Sequence, residues 1–170
     1  MGALRAAELW QFGMVGIGAI FEDYRDNRIE DDDEVAIVHG PAELDYVPVT
    51  EAMVNIRATV QAAVKASVIG AAEGDTILFL AKAMFYKERT WSGLLADAVM
   101  KGVPARACAA FRAWLPGGAV DQKRADAHRM LEEIRTLLRS GRGRFQPDFE
   151  FQETSDWARA VQDFRDAPGA

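Results

Sequence analysis

The sequence predicts a mainly α-helical domain, and three observations support that class. The chain has 170 residues, 49% hydrophobic and 27% charged, which is the composition of an ordinary globular protein with a real core. Apolar residues recur at helical spacing, most clearly at Met53, Ile56, Val60 and Val64. Glycine, proline and capping residues separate these periodic segments, so the pattern indicates several helices and not one long one.

The first third of the chain predicts two short helices around a glycine-rich turn. A helix is expected from Ala3 to Phe12, with Arg5 and Glu8 three residues apart on one face and able to pair. Residues 13–18 then follow the order G-x-x-G-x-G, which reverses the dinucleotide fingerprint and has no strand before it. We therefore predict a tight turn there, followed by a helix from Ala19 to Arg25.

The next predicted helix runs from Glu51 to Ile69, with Thr50 as its cap. A polar stripe borders its apolar face and consists of Glu51, Asn55 and Thr59. Such a stripe can line a pocket. The structural alternatives are that Asn55 makes a hydrogen bond at the core boundary and that Arg57 is a solvated charge.

Five further helices are expected in the second half. Their predicted markers are an Asp75 cap with an end near Lys87, a Thr90 cap, Pro104 in a first turn, an Asp121 cap and a Ser155 cap, with a loop at residues 115–118. The helix after Asp121 should turn five apolar residues inward: Ala127, Met130, Leu131, Ile134 and Leu138. The only cysteine, Cys108, falls on an apolar stripe, where a thiol is buried and unreactive.

Charge and composition exclude several classes of function. The net charge is −6, and the basic residues from Lys101 to Arg144 are spread over more than one helix without the interleaved aromatic residues of a stacking platform, so nucleic-acid binding is not expected. No apolar run approaches the ~20 residues of a membrane span, and residues 1–9 do not resemble a secretory signal. One cysteine permits no internal disulfide. We expect a cytoplasmic protein without a cofactor.

An acidic stretch from Glu30 to Glu34 precedes an apolar run that ends at His39. Five adjacent carboxylates repel one another, so a fold either solvates them or uses them. Used, they could bind a metal, hold a cationic group or carry a proton. If residues 35–38 are extended, Asp33 and His39 share one face. The alternative is a solvated loop or helix N-terminus, with His39 in a turn before Gly40.

A second dense polar stretch covers residues 86–91 and contains Lys87 and Arg89. It falls between two predicted helices. Inter-helix segments rich in lysine, arginine and tyrosine can hold anionic ligands, and they are also ordinary linkers.

Several segments, taken in order, resemble the TfuA-like family. They are residues 1–9, Gly13-Met14, Asp31 to Ala36 with His39, Glu51 to Thr59, Phe85 to Trp91 and Val120 to Ala127. This resemblance implies a role beside YcaO-type ATP-dependent enzymes in thioamide formation on ribosomal peptides or proteins. It further implies release of sulfide by hydrolysis of a thiocarboxylated, ubiquitin-like sulfur-carrier protein. The alternative is a non-catalytic module that recruits the carrier or the peptide to the YcaO enzyme.

The resemblance also selects candidate site residues. The candidate catalytic residues are Glu34 and His39, as general base, and no metal is assigned. Arg57 or Arg5 could stabilise the oxyanion. The candidate binding residues are Arg5, Glu8, Asp31, Asp32, Asp33, Asn55, Arg57, Lys87 and Arg89. A divalent metal in the acidic stretch is a weaker hypothesis.

Relatives carry further residues before the motif that begins here at Met1, including what resembles an α/β segment. We therefore expect residues 1–165 to form one TfuA-like domain, the C-terminal remainder of a larger α/β protein, with a frayed tail at residues 166–170.

Overall fold

The computed structural model describes residues 2–141, 150 and 152–166 of the chain. These residues confirm the mainly α-helical class and contain no β-strand, only an isolated antiparallel bridge between His39 and Pro48. The helices are α1 (Gly2–Leu9), α2 (Ala19–Arg25), α3 (Met53–Lys65), α4 (Ala71–Ala83), α5 (Trp91–Met100), α6 (Ala105–Gly118), α7 (Gln122–Ser140) and α8 (Ser155–Asp166). None of these helices has the length and apolar character that crossing a membrane requires.

Helix α3 lies at the centre of the larger hydrophobic cluster. Its predicted apolar stripe is confirmed, since Met53, Ile56 and Val60 are almost completely buried. They pack with buried residues of α4, α5 and α6, including Ile77, Leu94, Leu95, Cys108 and Phe111. Each large side chain buried in this way stabilises the fold by about 1.5–3 kcal/mol.

A smaller cluster attaches the N-terminal helices to the same central helix. Ile20 and Tyr24 of α2 pack with Ile29, Ala52 and Val54. Helix α2 has the predicted bounds, and the helix expected from Ala3 to Phe12 is an α-helix to Leu9 followed by a 3₁₀ turn over Trp10–Phe12. The acidic stretch begins directly after Ile29 of this cluster, so the cluster positions the acidic stretch against α3.

Several predicted helix ends are wrong. Helix α3 begins at Met53 and not at Glu51, because the Thr50 hydroxyl is occupied by the Val38 amide at 2.9 Å. Helix α4 begins at Ala71, where the Glu73 carboxylate accepts from the Gly70 amide at 2.6 Å, so Asp75 lies inside the helix. Residues that can cap a helix occur at more than one position near each helix start, and tertiary contacts decide which of these positions is used.

Two predicted caps are confirmed, and two predictions in the second half fail. The hydroxyl of Thr90 caps α5 and the carboxylate of Asp121 caps α7. Residues 115–118 continue α6 through Pro116, which costs a helix only one hydrogen bond near its end. Helix α8 is capped by Thr154, whose hydroxyl accepts from the Trp157 amide, and not by Ser155.

The predicted inward face of α7 is also wrong. Its apolar residues Ala127, Met130, Leu131, Ile134 and Leu138 are all exposed, Leu138 by 79%. The helix packs on α2 and α3. The long-range hydrogen bonds that hold it come from its first half, at Lys123, Asp126 and Arg129. The predicted tail lies outside the described residues beyond Asp166, which ends α8.

Candidate functional site

The acidic stretch folds into a 3₁₀ turn, Asp32–Glu34, that places one carboxylate inside the protein. Glu34 is only 2% exposed. Arg57 of α3 donates to it through two nitrogens, Nε to Oε2 and Nη2 to Oε1, both at 2.9 Å. Lys82 Nζ of α4 lies 2.9 Å from Glu34 Oε1. A bidentate pair with a further cation is among the stronger polar contacts that a protein can make.

Two neighbouring carboxylates extend this ion-pair network. Lys82 Nζ also lies 3.0 Å from Asp31 Oδ2 and 3.3 Å from Asp33 Oδ2. Arg89 is completely buried and donates from Nη2 to Asp33 Oδ2 at 2.9 Å, while its Nε donates to the Ala81 carbonyl at 3.0 Å. Arg89 thus ties the end of α4 to the acidic turn. Its part in ligand binding stays a prediction.

The pKa values follow from this pairing. Burial alone would raise the pKa of Glu34, but hydrogen bonds from Arg57 and Lys82 outweigh it and hold that pKa below its usual value. The pKa of Arg57 is raised by its hydrogen bond to the same carboxylate. Desolvation and the nearby Glu34 charge raise the pKa of Tyr24 to about 12. A carboxylate stabilised in its charged form is a poor proton acceptor, so the geometry suits Glu34 to anchoring and not to general-base work.

The network also bears on metal binding. Among the described residues, no group of three or more His, Cys, Asp or Glu side chains is arranged to hold a metal ion. Lys82, Arg57 and Arg89 occupy the places between the carboxylates where a cation would sit. The positive charge that an acidic cluster requires is supplied here by the protein itself.

A polar cleft of about 460 Å³ lies between the segment that precedes α3 and the first turn of α7. The predicted polar stripe lines it, as expected, since Glu51, Asn55 and Thr59 all face the cleft. Asn55 holds the start of α7 on both sides: its Nδ2 donates to Asp121 Oδ1 at 3.1 Å and its Oδ1 accepts from the Lys123 amide at 3.2 Å. These bonds make the cleft a built feature of the fold.

His39 also lines this cleft and is exposed. Its Nδ1 lies 2.8 Å from the carbonyl oxygen of Tyr46. A carbonyl only accepts, so Nδ1 carries the hydrogen of the neutral ring and Nε2 is left as the acceptor. Backbone bonds from Gly40 to Val47 at 2.8 Å and from Val49 to Val38 at 2.9 Å hold the loop on either side. The structure thus gives His39 a defined tautomer beside a cleft.

Four titratable residues that line the cleft were not selected as site residues from the sequence: Glu51, Asp121, Lys123 and Arg124. Burial, and then the charge of Asp121, raises the pKa of Glu51. Burial also lowers the pKa of Lys123, against the opposing charge of Asp121. Lys123 and Asp121 lie within the segment Val120 to Ala127 that resembled the family, which was the available signal. Opposed shifts in one cleft are typical of functional sites.

The remaining candidates lie elsewhere. Arg5 pairs with Glu8 on the exposed face of α1, as the spacing predicted. Lys87 is exposed, with Nζ 5.7 Å from the ring centroid of Phe85, and Asp32 is exposed at the acidic turn. None of these four lines the cleft.

Apart from these four, the candidate residues form two groups on different sides of α3. Positions two residues apart on an α-helix point about 200° apart, so Asn55 and Arg57 face away from each other. Arg57 holds the acidic turn, together with Asp31, Asp33, Glu34, Lys82 and Arg89. Asn55 faces the cleft with His39. The first group is an ion-pair anchor, and the second is an open polar site.

Fold and site together define a helical protein with a polar cleft beside an internal ion-pair network. Residues 1–90 match the family model described as TfuA-like protein, which is more than half of the chain. The chain belongs to the TfuA-like family. No curated protein matches it. Family membership supports, in broad terms, an association with YcaO-type enzymes.

Proposed function

We propose that this protein serves a YcaO-type enzyme in thioamide formation on ribosomal peptides or proteins, by releasing sulfide from a thiocarboxylated, ubiquitin-like sulfur-carrier protein. The family match supports the association. The observation that carries the reaction is His39, which lines the cleft with Nδ1 directed to the Tyr46 carbonyl and Nε2 left as a proton acceptor.

The reaction is hydrolysis of an acyl thiocarboxylate. His39 Nε2 takes a proton from water as the oxygen adds to the acyl carbon, and a tetrahedral intermediate forms. Its collapse breaks the carbon–sulfur bond and leaves a carboxylate on the carrier, with hydrosulfide and one proton released. A positioned imidazole contributes about 10²- to 10⁴-fold to such a step.

The ion-pair network has a positioning role in this proposal. Glu34, held by Arg57 and Lys82, fixes the acidic turn against α3 and α4. The chain leaves that turn and reaches His39 five residues later, with the Val38 amide bound to Thr50 on the way. Arg57 has two of its nitrogens committed to Glu34, so its part in oxyanion stabilisation is indirect.

The test compares the only two histidines of the chain. His39→Gln should lower sulfide release from the thiocarboxylated carrier by about a hundredfold or more, because glutamine cannot take the proton. His128→Gln is the matched control, since His128 is exposed on α7 and does not line the cleft. Equal release by both variants would remove His39 from the chemistry.

A docking module is the second candidate, and one observation favours it. The loop beside His39 exposes four large apolar side chains by 48–63%: Leu44, Tyr46, Val47 and Val49. Apolar exposure of this kind is typical of contact surfaces. His39→Ala separates the two functions: loss of sulfide release with carrier binding intact supports hydrolysis, and loss of binding alone supports docking.

A further inference from the structure

The first turn of α7 brings a lysine into the cleft whose charge is not paired with a carboxylate. Among the ion pairs of the residues that the structure describes, Lys123 takes part in none. Its Nζ donates to the Val35 carbonyl at 3.0 Å, and an ammonium group has two further hydrogens to donate. Lys123 lines the cleft and also a second cavity that Val35 lines, and its ammonium group has donor capacity left over.

The other cations considered for an anionic tail are committed or distant. Arg57 is bound through two nitrogens to Glu34, Arg5 is paired with Glu8, and Lys87 does not line the cleft. The amides of Lys123 and Arg124 at the start of α7 are also committed, because they already donate to Asn55 and Asp121. The Lys123 side chain keeps donor capacity at this end of the cleft.

Neither acid of the cleft forms an ion pair with Lys123 among the described residues. Asp121 Oδ1 already accepts from Asn55 Nδ2 and from the Arg124 amide. Burial raises the pKa of Glu51, so its carboxyl is more readily neutral than an exposed one. Burial lowers the pKa of Lys123, and a bound anion would offset that cost by restoring favourable charge around the ammonium.

We infer that the cleft binds the C-terminal carboxylate or thiocarboxylate of an extended polypeptide tail, with Lys123 as the residue that binds the anion and Arg124 beside it. This inference rests on the proposed function and names how its substrate is held. A volume of about 460 Å³ is that of a small-ligand site, so it admits the end of a chain and not a folded surface. Attack on a thiocarboxylate adds negative charge to a group that is already anionic, and an ammonium beside it stabilises both states.

The first experiment measures binding without any sulfur chemistry. The probe is a synthetic peptide with the C-terminal residues of the sulfur carrier, made once with a free carboxylate and once as the amide. The intact protein should bind the carboxylate form at least about tenfold more tightly, because charge-assisted hydrogen bonds are about twice as strong as neutral ones. Equal affinity for the two forms would overturn the inference without any variant of the protein.

The second experiment assigns that preference to a residue. Lys123→Met should abolish it, Lys123→Arg should retain most of it, and Lys101→Met should match the unchanged protein, since Lys101 is exposed and does not line the cleft. Circular dichroism checks that each variant is folded. A Lys123→Met protein that still prefers the carboxylate overturns the assignment.

The two proposals can fail separately. Carboxylate binding without sulfide release from the real carrier would count against the proposed hydrolysis alone, whereas release without the preference for the carboxylate peptide would count against this inference alone.

Discussion

At the scale of single residues, the partners of Glu34 favour a structural role that its sequence context did not indicate. Five consecutive acids suggested a reactive carboxylate, but Arg57 and Lys82 bind Glu34 on both oxygens. Removing one member of a buried ion pair leaves the other charges unpaired, which is more costly than the net worth of the pair. The residue is therefore best tested through stability and not through turnover.

We predict that Glu34→Gln lowers the free energy of unfolding by about 3 kcal/mol near neutral pH. The pKa of Glu34 is lower in the folded protein than its ordinary value of 4.5, so the folded state favours the charged form. That contribution is fully present above the ordinary value and is lost as pH falls through the folded value. Urea unfolding, followed from neutral pH into the acid range, should show a weaker acid dependence in the variant.

Glu43→Gln is the matched control for this prediction. Glu43 is an exposed glutamate of a 3₁₀ turn, so its removal should change the free energy of unfolding by less than about 0.5 kcal/mol. If Glu34→Gln and Glu43→Gln had the same free energy of unfolding, the ion-pair network would contribute nothing measurable to the stability of the fold.

At the scale of elements, Asp126 joins two helices that are distant in sequence. Its Oδ1 accepts from the Ala19 amide at 3.0 Å and its Oδ2 from the Ile20 amide at 2.8 Å, so a side chain of α7 caps the start of α2. Helix α2 has glycine at its own cap position, which supplies no acceptor. The cap comes from another element because none is available locally.

Asp126→Ala should lower the free energy of unfolding by about 1–2 kcal/mol, because two amides lose their acceptor and the helix loses a favourable charge at its N-terminus. Hydrogen exchange of the amides of Ala19 and Ile20 should accelerate more than exchange elsewhere. Asp75→Ala is the control, since Asp75 is exposed on α4. Unchanged exchange at both amides would show that the cap contributes nothing.

The sequence predicted elements better than it predicted their partners. Periodicity gave the bounds of α2 and the buried stripe of α3, because a helix repeats its own geometry locally. The same rule failed for α7, where apolar residues such as Leu138 are spaced like a buried stripe and yet are exposed. The spacing of apolar residues predicts that a helix has an apolar face. Which element packs against that face depends on tertiary contacts.

In the candidate site, too, residues on one helix could be predicted together, whereas residues brought in by a distant helix could not. The stripe containing Asn55 was a possible pocket lining, and its members do line the cleft because they lie on one helix face. Asn55 also makes the hydrogen bonds at the core boundary that were the alternative. Lys123 could not be placed in that pocket from the sequence, since it lies 68 residues from Asn55 and arrives through the docking of α7. His39 was predicted as a site residue for its chemistry, and its assigned role stays a prediction.

For the whole molecule, the two hydrophobic clusters differ in size while both contain residues of α3. The larger cluster comprises fourteen buried residues of the segment from α3 to α6, and the smaller one comprises five. Stability follows the buried apolar area, so the N-terminal part should open more easily than the centre. Both groups of candidate residues use α3, and each also takes residues from the 3₁₀ turn and loop at residues 31–51.

We predict that amides of α2 exchange hydrogen through a partial opening with a lower free energy than amides of α4. Cys108, which belongs to the larger cluster and is 4% exposed, should react with a thiol reagent only as fast as that cluster opens. Burial also raises the pKa of this thiol, which further slows its reaction in the folded state.

Hydrogen exchange measured across a denaturant series tests the order of opening. The free energy of opening should depend weakly on denaturant for α2, and strongly and equally for α4 and for Cys108 labelling. One common free energy for all three would mean that the protein opens as a single unit, and the acidic turn and the cleft would then be no more mobile than the core behind them.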